Sequence, residues 1–178
     1  MTVGVRYATV ALSVLVACQA ADPRAEGNRE ASAAVFERLK ALDGRWSGTG
    51  TIGDQVVPIE STWRVTGAGS AVEEVLFVGT PHEMVTMYHL DGTRLMLTHY
   101  CAAQNQPRMV AMPTKQPSGA AFAVQFAYLD CTNLANPTAM HMHDAQLELD
   151  ADGVMRSRWS AWSGGKPDHD AVFELRRK

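Results

Sequence analysis

Cysteine is scarce in this chain, with three among 178 residues. That is too few for a disulfide-stapled scaffold, so the fold must rest on an apolar core. Charge of one sign is also lacking. The formal net charge is −3, which gives no basic footprint for nucleic acid, and none is expected as a partner. Beyond the first residues, no apolar run is long enough to cross a membrane as a helix. There is no glycine loop of the phosphate-cradling kind and no Gly-x-Ser-x-Gly nucleophile elbow. No residue is singled out as catalytic, and an enzyme is not the first expectation.

What is present begins with an apolar run from Tyr7 to Ala17 behind a single charge, Arg6. It is too short to span a bilayer and suits a signal-peptide core. It ends in Leu15-Val16-Ala17-Cys18, which resembles the bacterial lipobox. The resemblance implies a lipoprotein signal peptide over 1–17, with Cys18 acylated as the mature terminus. The other reading is an ordinary signal peptide cut near Ala20 or Ala21. By the lipobox resemblance, Gln19 rather than Asp after the cysteine implies an outer-membrane address facing the periplasm. Residues 18–30 read as a lipidated tether, rich in small and polar types. Residues 31–178 are one domain's worth of chain.

In that domain the spacing of Val35, Phe36, Leu39 and Leu42 predicts a short amphipathic helix over 31–42, with Ser32 as its N-cap. From Trp46 the period becomes two and stays there. Ten strand-like segments follow, the first at 46–52 and the last at 171–176. Turn signals such as Asp91-Gly92 and Gly164-Gly165 separate them. Short, evenly spaced strands with tight turns argue an all-β antiparallel meander. Ten of them with no second helical layer most simply close into an up-and-down barrel, preceded by one short N-terminal helix.

The stretch "LDGRWSGTG", a helix followed by Gly-x-Trp, resembles the opening of lipocalins and their calycin relatives. The resemblance covers roughly residues 42–177. It implies structural roles for Gly44 and Trp46, with the Trp packed under an arginine of a late strand, Arg176 or its neighbour Arg177. The Gly-x-Trp-x-Gly-x-Gly form is similar to nitrobindin-like and fatty-acid-binding-like ten-stranded barrels. The pieces "GTPHEMVTMYHLDG" and "LTHYC" resemble uncharacterised bacterial lipocalin-like proteins. Such a barrel is expected to hold a small, mainly apolar molecule or a lipid.

Strand phase nominates the contacts. Leu95, Leu97, His99 and Cys101 form one alternate set, and His141, His143, Ala145, Leu147 and Leu149 form another. Both end in leucines, so His99, His141 and His143 are expected to face one cavity, joined by His89. Tyr88, Trp63 and Arg108 complete the expected ligand contacts, Arg108 as a partner for a carboxylate. His-x-His on one strand face places two imidazoles about 7 Å apart, a geometry that holds a transition metal. Histidines lining a cavity more often hydrogen-bond to neighbours or water. The nitrobindin-like resemblance implies a haem-binding histidine in the last strand. His169 stands near that place, although Asp170 replaces an apolar residue and the register is off by one. Cys101 and Cys131 remain as an even pair in an oxidising compartment and are expected to bridge. That bridge would pin the 102–107 loop to the 131–138 loop at the cavity's rim. One of Glu73 and Glu74 must point inward from an apolar strand. The alternatives to a carrier are a haem- or metal-bearing barrel with redox or isomerase chemistry, or a structural envelope lipoprotein whose barrel is filled by its own side chains.

Overall fold

A computed structural model describes residues 27–112 and 120–178. The expected signal peptide, the acylated Cys18 and most of the tether lie outside these residues. The order is α1 (Arg29–Lys40), β1 (Gly44–Ile52), β2 (Gln55–Thr66), β3 (Ala71–Leu76), β4 (Met84–Asp91), β5 (Arg94–Tyr100), β6 (Gln106–Met112), β7 (Ala120–Thr132), β8 (His141–Asp150), β9 (Val154–Ser163) and β10 (Lys166–Arg177). Every strand pairs with its sequence neighbours, and β1 pairs with β10, so the sheet closes into an antiparallel ten-stranded barrel. Closure leaves no strand edge unpaired.

The helix starts two residues earlier than its apolar period suggests, because Asn28 caps it. The Asn28 side chain accepts from the backbone N–H groups of Glu30 and Ala31 at 3.0 and 3.2 Å. Ser32, the expected cap, instead donates to the Thr93 carbonyl at 2.9 Å and ties the helix to the β4–β5 turn. Phe36 and Leu39 are the face it buries, one turn apart.

The Gly-x-Trp-x-Gly-x-Gly motif becomes intelligible here. Trp46 is buried, and its indole N–H donates to the Leu42 carbonyl at 2.9 Å. Gly44 has φ +134, a conformation that side-chain-bearing residues rarely adopt. At Gly48 a Cβ would sit 1.9 Å from the Glu174 carbonyl oxygen, so β1 and β10 can approach this closely only with glycine there. The arginine that lies on Trp46 is Arg177, with its guanidinium carbon 4.7 Å from the ring centroid. Arg177 also donates to the carbonyls of Ala41, at 2.8 Å, and Asp43, where the helix ends. Arg176, the other expectation, turns outward and donates to the Asp152 carbonyl. Phase explains the choice: Ala171, Phe173 and Leu175 point inward, and Arg177 continues that alternation while Arg176 opposes it.

Candidate functional site

The end of the barrel opposite the helix is open, and its inner wall forms a cavity of about 70 Å³. Ile52, Leu76, Phe77, Met84, Met142 and Phe173 give it apolar walls, and His99, His169 and Trp159 supply its nitrogens. His99 arrives as expected, by alternation with Leu95 and Leu97 on β5. It is buried, its ring centroid lies 4.6 Å from that of Trp159, and its Nδ1 is 2.9 Å from the Thr86 hydroxyl. Burial holds the His99 pKa down at about 4, so the ring is neutral. His169 reaches the cavity because a bulge between Pro167 and His169 shifts the start of β10, and its Nδ1 sits 2.8 Å from Asp168.

His141 and His143 do not line this cavity. A bulge between Met142 and Asp144 interrupts β8, so the alternation read back from Leu147 and Ala145 continues through Met142 instead of His143. Met142 therefore lines the cavity. The two histidines meet each other, His141 Nε2 to His143 Nδ1 at 3.1 Å, while His141 Nδ1 donates to the Ala139 carbonyl at 2.9 Å. His143 lies between Trp162, at 3.9 Å and 17°, and Tyr128, at 4.5 Å and 12°. Two nitrogens bonded to each other cannot both hold one ion. Among the described residues, no group of three or more His, Cys, Asp or Glu side chains is placed to hold a metal. His89 lies on the outer side of β4, since Thr86 and Tyr88 take its buried positions. Arg108 is also outside, in a bidentate pair with Asp130.

Cys101 and Cys131 are free thiols, not a bridge. Both are partly buried, and burial raises both pKa values. The Cys131 sulfur donates to the Thr132 carbonyl. The two rim loops are instead joined by amides and a hydroxyl. Asn105 donates to the Met140 carbonyl at 2.7 Å, Asn133 to the Gln104 carbonyl, and Thr132 to Gln106 at 2.9 Å.

Below the cavity the barrel is filled. Trp63 stacks on Tyr88 at 5.4 Å and 15°, with Phe126 against the tyrosine. One polar row crosses four strands at this level. Trp63 faces Glu74, Glu74 faces Thr86, and Thr86 faces His99, each as a cross-strand partner. Of the two glutamates, Glu73 turns out to Arg64 at 2.9 Å and Glu74 turns in. Glu74 Oε2 accepts from the Tyr88 hydroxyl at 2.8 Å, and its Oε1 has no partner among the described residues. Burial pushes the Glu74 pKa up to about 7. Burial first, and then the neighbouring Glu74, push that of Tyr88 well above its ordinary value. Thr86 and Trp159 gave no signal in the sequence beyond their residue types. Glu74 did, as a carboxylate in an apolar strand.

Fold and site together define an up-and-down ten-stranded barrel, shut by a helix at one end and lined by histidines at the other. Its likeness among solved structures includes the crystal structure of Rv2717c from M. tuberculosis, at 15% identity and a TM-score of 0.57 over 80% of this chain and 96% of that one. That likeness is one of fold. No protein-family model and no curated protein matches the sequence.

Proposed function

We propose that the chain is a small-molecule-binding barrel of the cell envelope that takes a small, mainly apolar molecule at its open mouth. The observation that carries this reading is the mouth cavity, with apolar walls around a few convergent nitrogens. Its size bounds the ligand. Pockets for drug-sized molecules run to roughly 300–1,000 Å³, so a cavity of about 70 Å³ takes the end of a chain, not a whole lipid. Trp63 and Tyr88, expected as ligand contacts, lie deeper, both buried, and do not line the cavity. Attachment to the outer membrane through Cys18 belongs to the same proposal and rests on the Leu15-Val16-Ala17-Cys18 stretch.

The packed interior supports a second reading, a structural envelope lipoprotein whose barrel is filled by its own side chains. Haem fits poorly. His169 lines the cavity, but a porphyrin is at least drug-sized and the space beside that ring is far smaller. A transition metal has no assembled set of ligands among the described residues.

Native mass spectrometry of the protein taken from cells separates the two readings. An added mass that disappears in Met142→Trp, which fills the mouth, is the result expected for a binding barrel. A bare mass in both proteins would overturn binding and leave the filled barrel.

A further inference from the structure

The mouth cavity brings together two kinds of neutral ligand group. His99 enters it from β5 and His169 from β10, while Met84 on β4 and Met142 on β8 bring thioethers. Register explains the grouping. His99 has Thr86 as its cross-strand partner, and Met84 is the next residue toward the mouth on that face of β4. Ala161 pairs with Met142 on one side and with His169 on the other. The two pairs thus come from opposite walls of the barrel. Trp159 spans the space between them. Its ring lies 4.6 Å from that of His99, and its cross-strand partner Ala171 is two residues from His169. Each imidazole is held by its Nδ1. A carboxylate only accepts, so His169 Nδ1 donates to Asp168 Oδ2 at 2.8 Å and Nε2 carries the lone pair. His99 Nδ1 sits 2.9 Å from the Thr86 hydroxyl. A hydroxyl both gives and takes, so that contact survives whichever ring nitrogen carries the proton. Neither Nε2 has a hydrogen-bond partner among the described residues. Histidines that bind a metal are oriented in this way, by an oxygen on the other ring nitrogen.

We propose that the mouth binds one copper(I) ion through Nε2 of His99 and His169 and the sulfurs of Met84 and Met142. The assembled set that is missing from the molecule is one of imidazole, thiol and carboxylate groups. Thioether sulfur is a further kind of ligand. It selects copper(I), and imidazole suits copper as well. No carboxylate lines the cavity, so ions that need oxygen ligands find none there. Methionine is unbranched and turns about three bonds, which lets both sulfurs close on an ion from the walls. Thr86 and Asp168 are positioning residues here, since they act on the ion only through His99 and His169. This goes beyond the small-molecule reading and does not rest on it, because an ion and a chain end make different demands on the same walls.

The test is an anaerobic titration of the whole protein with copper(I) buffered by a competing chelator, bathocuproine disulfonate. Thiols also take copper(I), so parent and variants all carry Cys101→Ser and Cys131→Ser. One equivalent is expected to shift the methyl NMR signals of Met84 and Met142 and to leave those of Met87 and Met140, which lie outside the cavity, in place. Met84→Leu and Met142→Leu, close in shape, should each weaken copper(I) binding about tenfold or more. Thr86→Val should weaken it about tenfold from outside the ligand set, and Asp168→Asn, at an exposed position, serves if the valine variant does not fold. An apolar occupant should remain in Met142→Leu, whose wall stays apolar, so loss of copper and loss of that occupant are read separately. No copper(I) taken from the chelator would overturn the site. So would binding that Met84→Leu, Met142→Leu and His169→Phe all leave unchanged.

Discussion

Between β1 and β10 register runs unbroken from Trp46↔Arg177 at the helix end to Ile52↔Ala171 at the mouth, and at the helix end Trp46 and Arg177 both find protein partners. Trp46 gives its N–H to Leu42, and Arg177 covers the indole face and takes up the last carbonyls of the helix. At the mouth, bulges break the ladders of β6–β7, β8–β9 and β9–β10. There Tyr100 and Met140 stand exposed and His169 is re-aimed into the cavity. The same sheet thus supplies a plug and a site. Regular pairing gives a predictable inward face that fills itself. A bulge adds a residue on one strand, switches the phase of everything beyond it, and so redirects side chains without changing the fold.

Removing the plug should do the most damage. Trp46→Ala is expected to lose about 3–5 kcal/mol in urea unfolding, as buried tryptophans do when truncated. A loss below about 1 kcal/mol would mean that the indole is not what closes this end.

The buried pair beneath the mouth sharpens the contrast through pH. The Glu74 pKa rises from 4.5 to about 7 on folding, so between those values the folded state holds a proton that the unfolded state has released, and stability falls as pH rises. The His99 pKa drops from 6.5 to about 4, so there the unfolded state holds the extra proton, and stability rises with pH. Between pH 4.5 and 6.5 the two trends oppose each other in the parent protein. Glu74→Gln should expose the rising trend and His99→Phe the falling one, each approaching tenfold per pH unit in the unfolding constant. Urea midpoints taken across that range check this, and profiles parallel to the parent's in both variants would refute it.

The smallest effect is expected outside the barrel. Arg108 and Asp130 form a bidentate pair, but both side chains are nearly half exposed. Arg108→Ala should cost roughly 0.2–1 kcal/mol and leave unaltered any added mass seen in native mass spectrometry. A clear loss of binding would restore Arg108 to the ligand contacts proposed from its sequence position.

The architecture was legible because it is written in local terms. Period-two alternation from Trp46 onward and glycines in the turns marked ten strands, and ten are present. Glycines at 44 and 48 with Trp46 marked the plug. His99 was placed correctly because β5 runs without a bulge from Leu95 to the mouth. His141 and His143 were misplaced because the bulge at 142–144 leaves no trace in residue type. Of the two C-terminal arginines, the choice of Arg177 needed the observed phase of β10. The expected Cys101–Cys131 bridge came from counting cysteines, whereas the rim is joined by Asn105, Asn133 and Thr132.

By itself, then, the sequence determined an all-β chain with one leading helix, the number of its strands, and the fact that one of two adjacent glutamates must turn inward. These follow from alternation, which any strand with one buried face must obey. Tertiary structure decided which glutamate, which arginine and which histidines. Cross-strand partners such as Trp63, Glu74, Thr86 and His99 lie far apart in the chain, and only closure of the barrel sets them side by side.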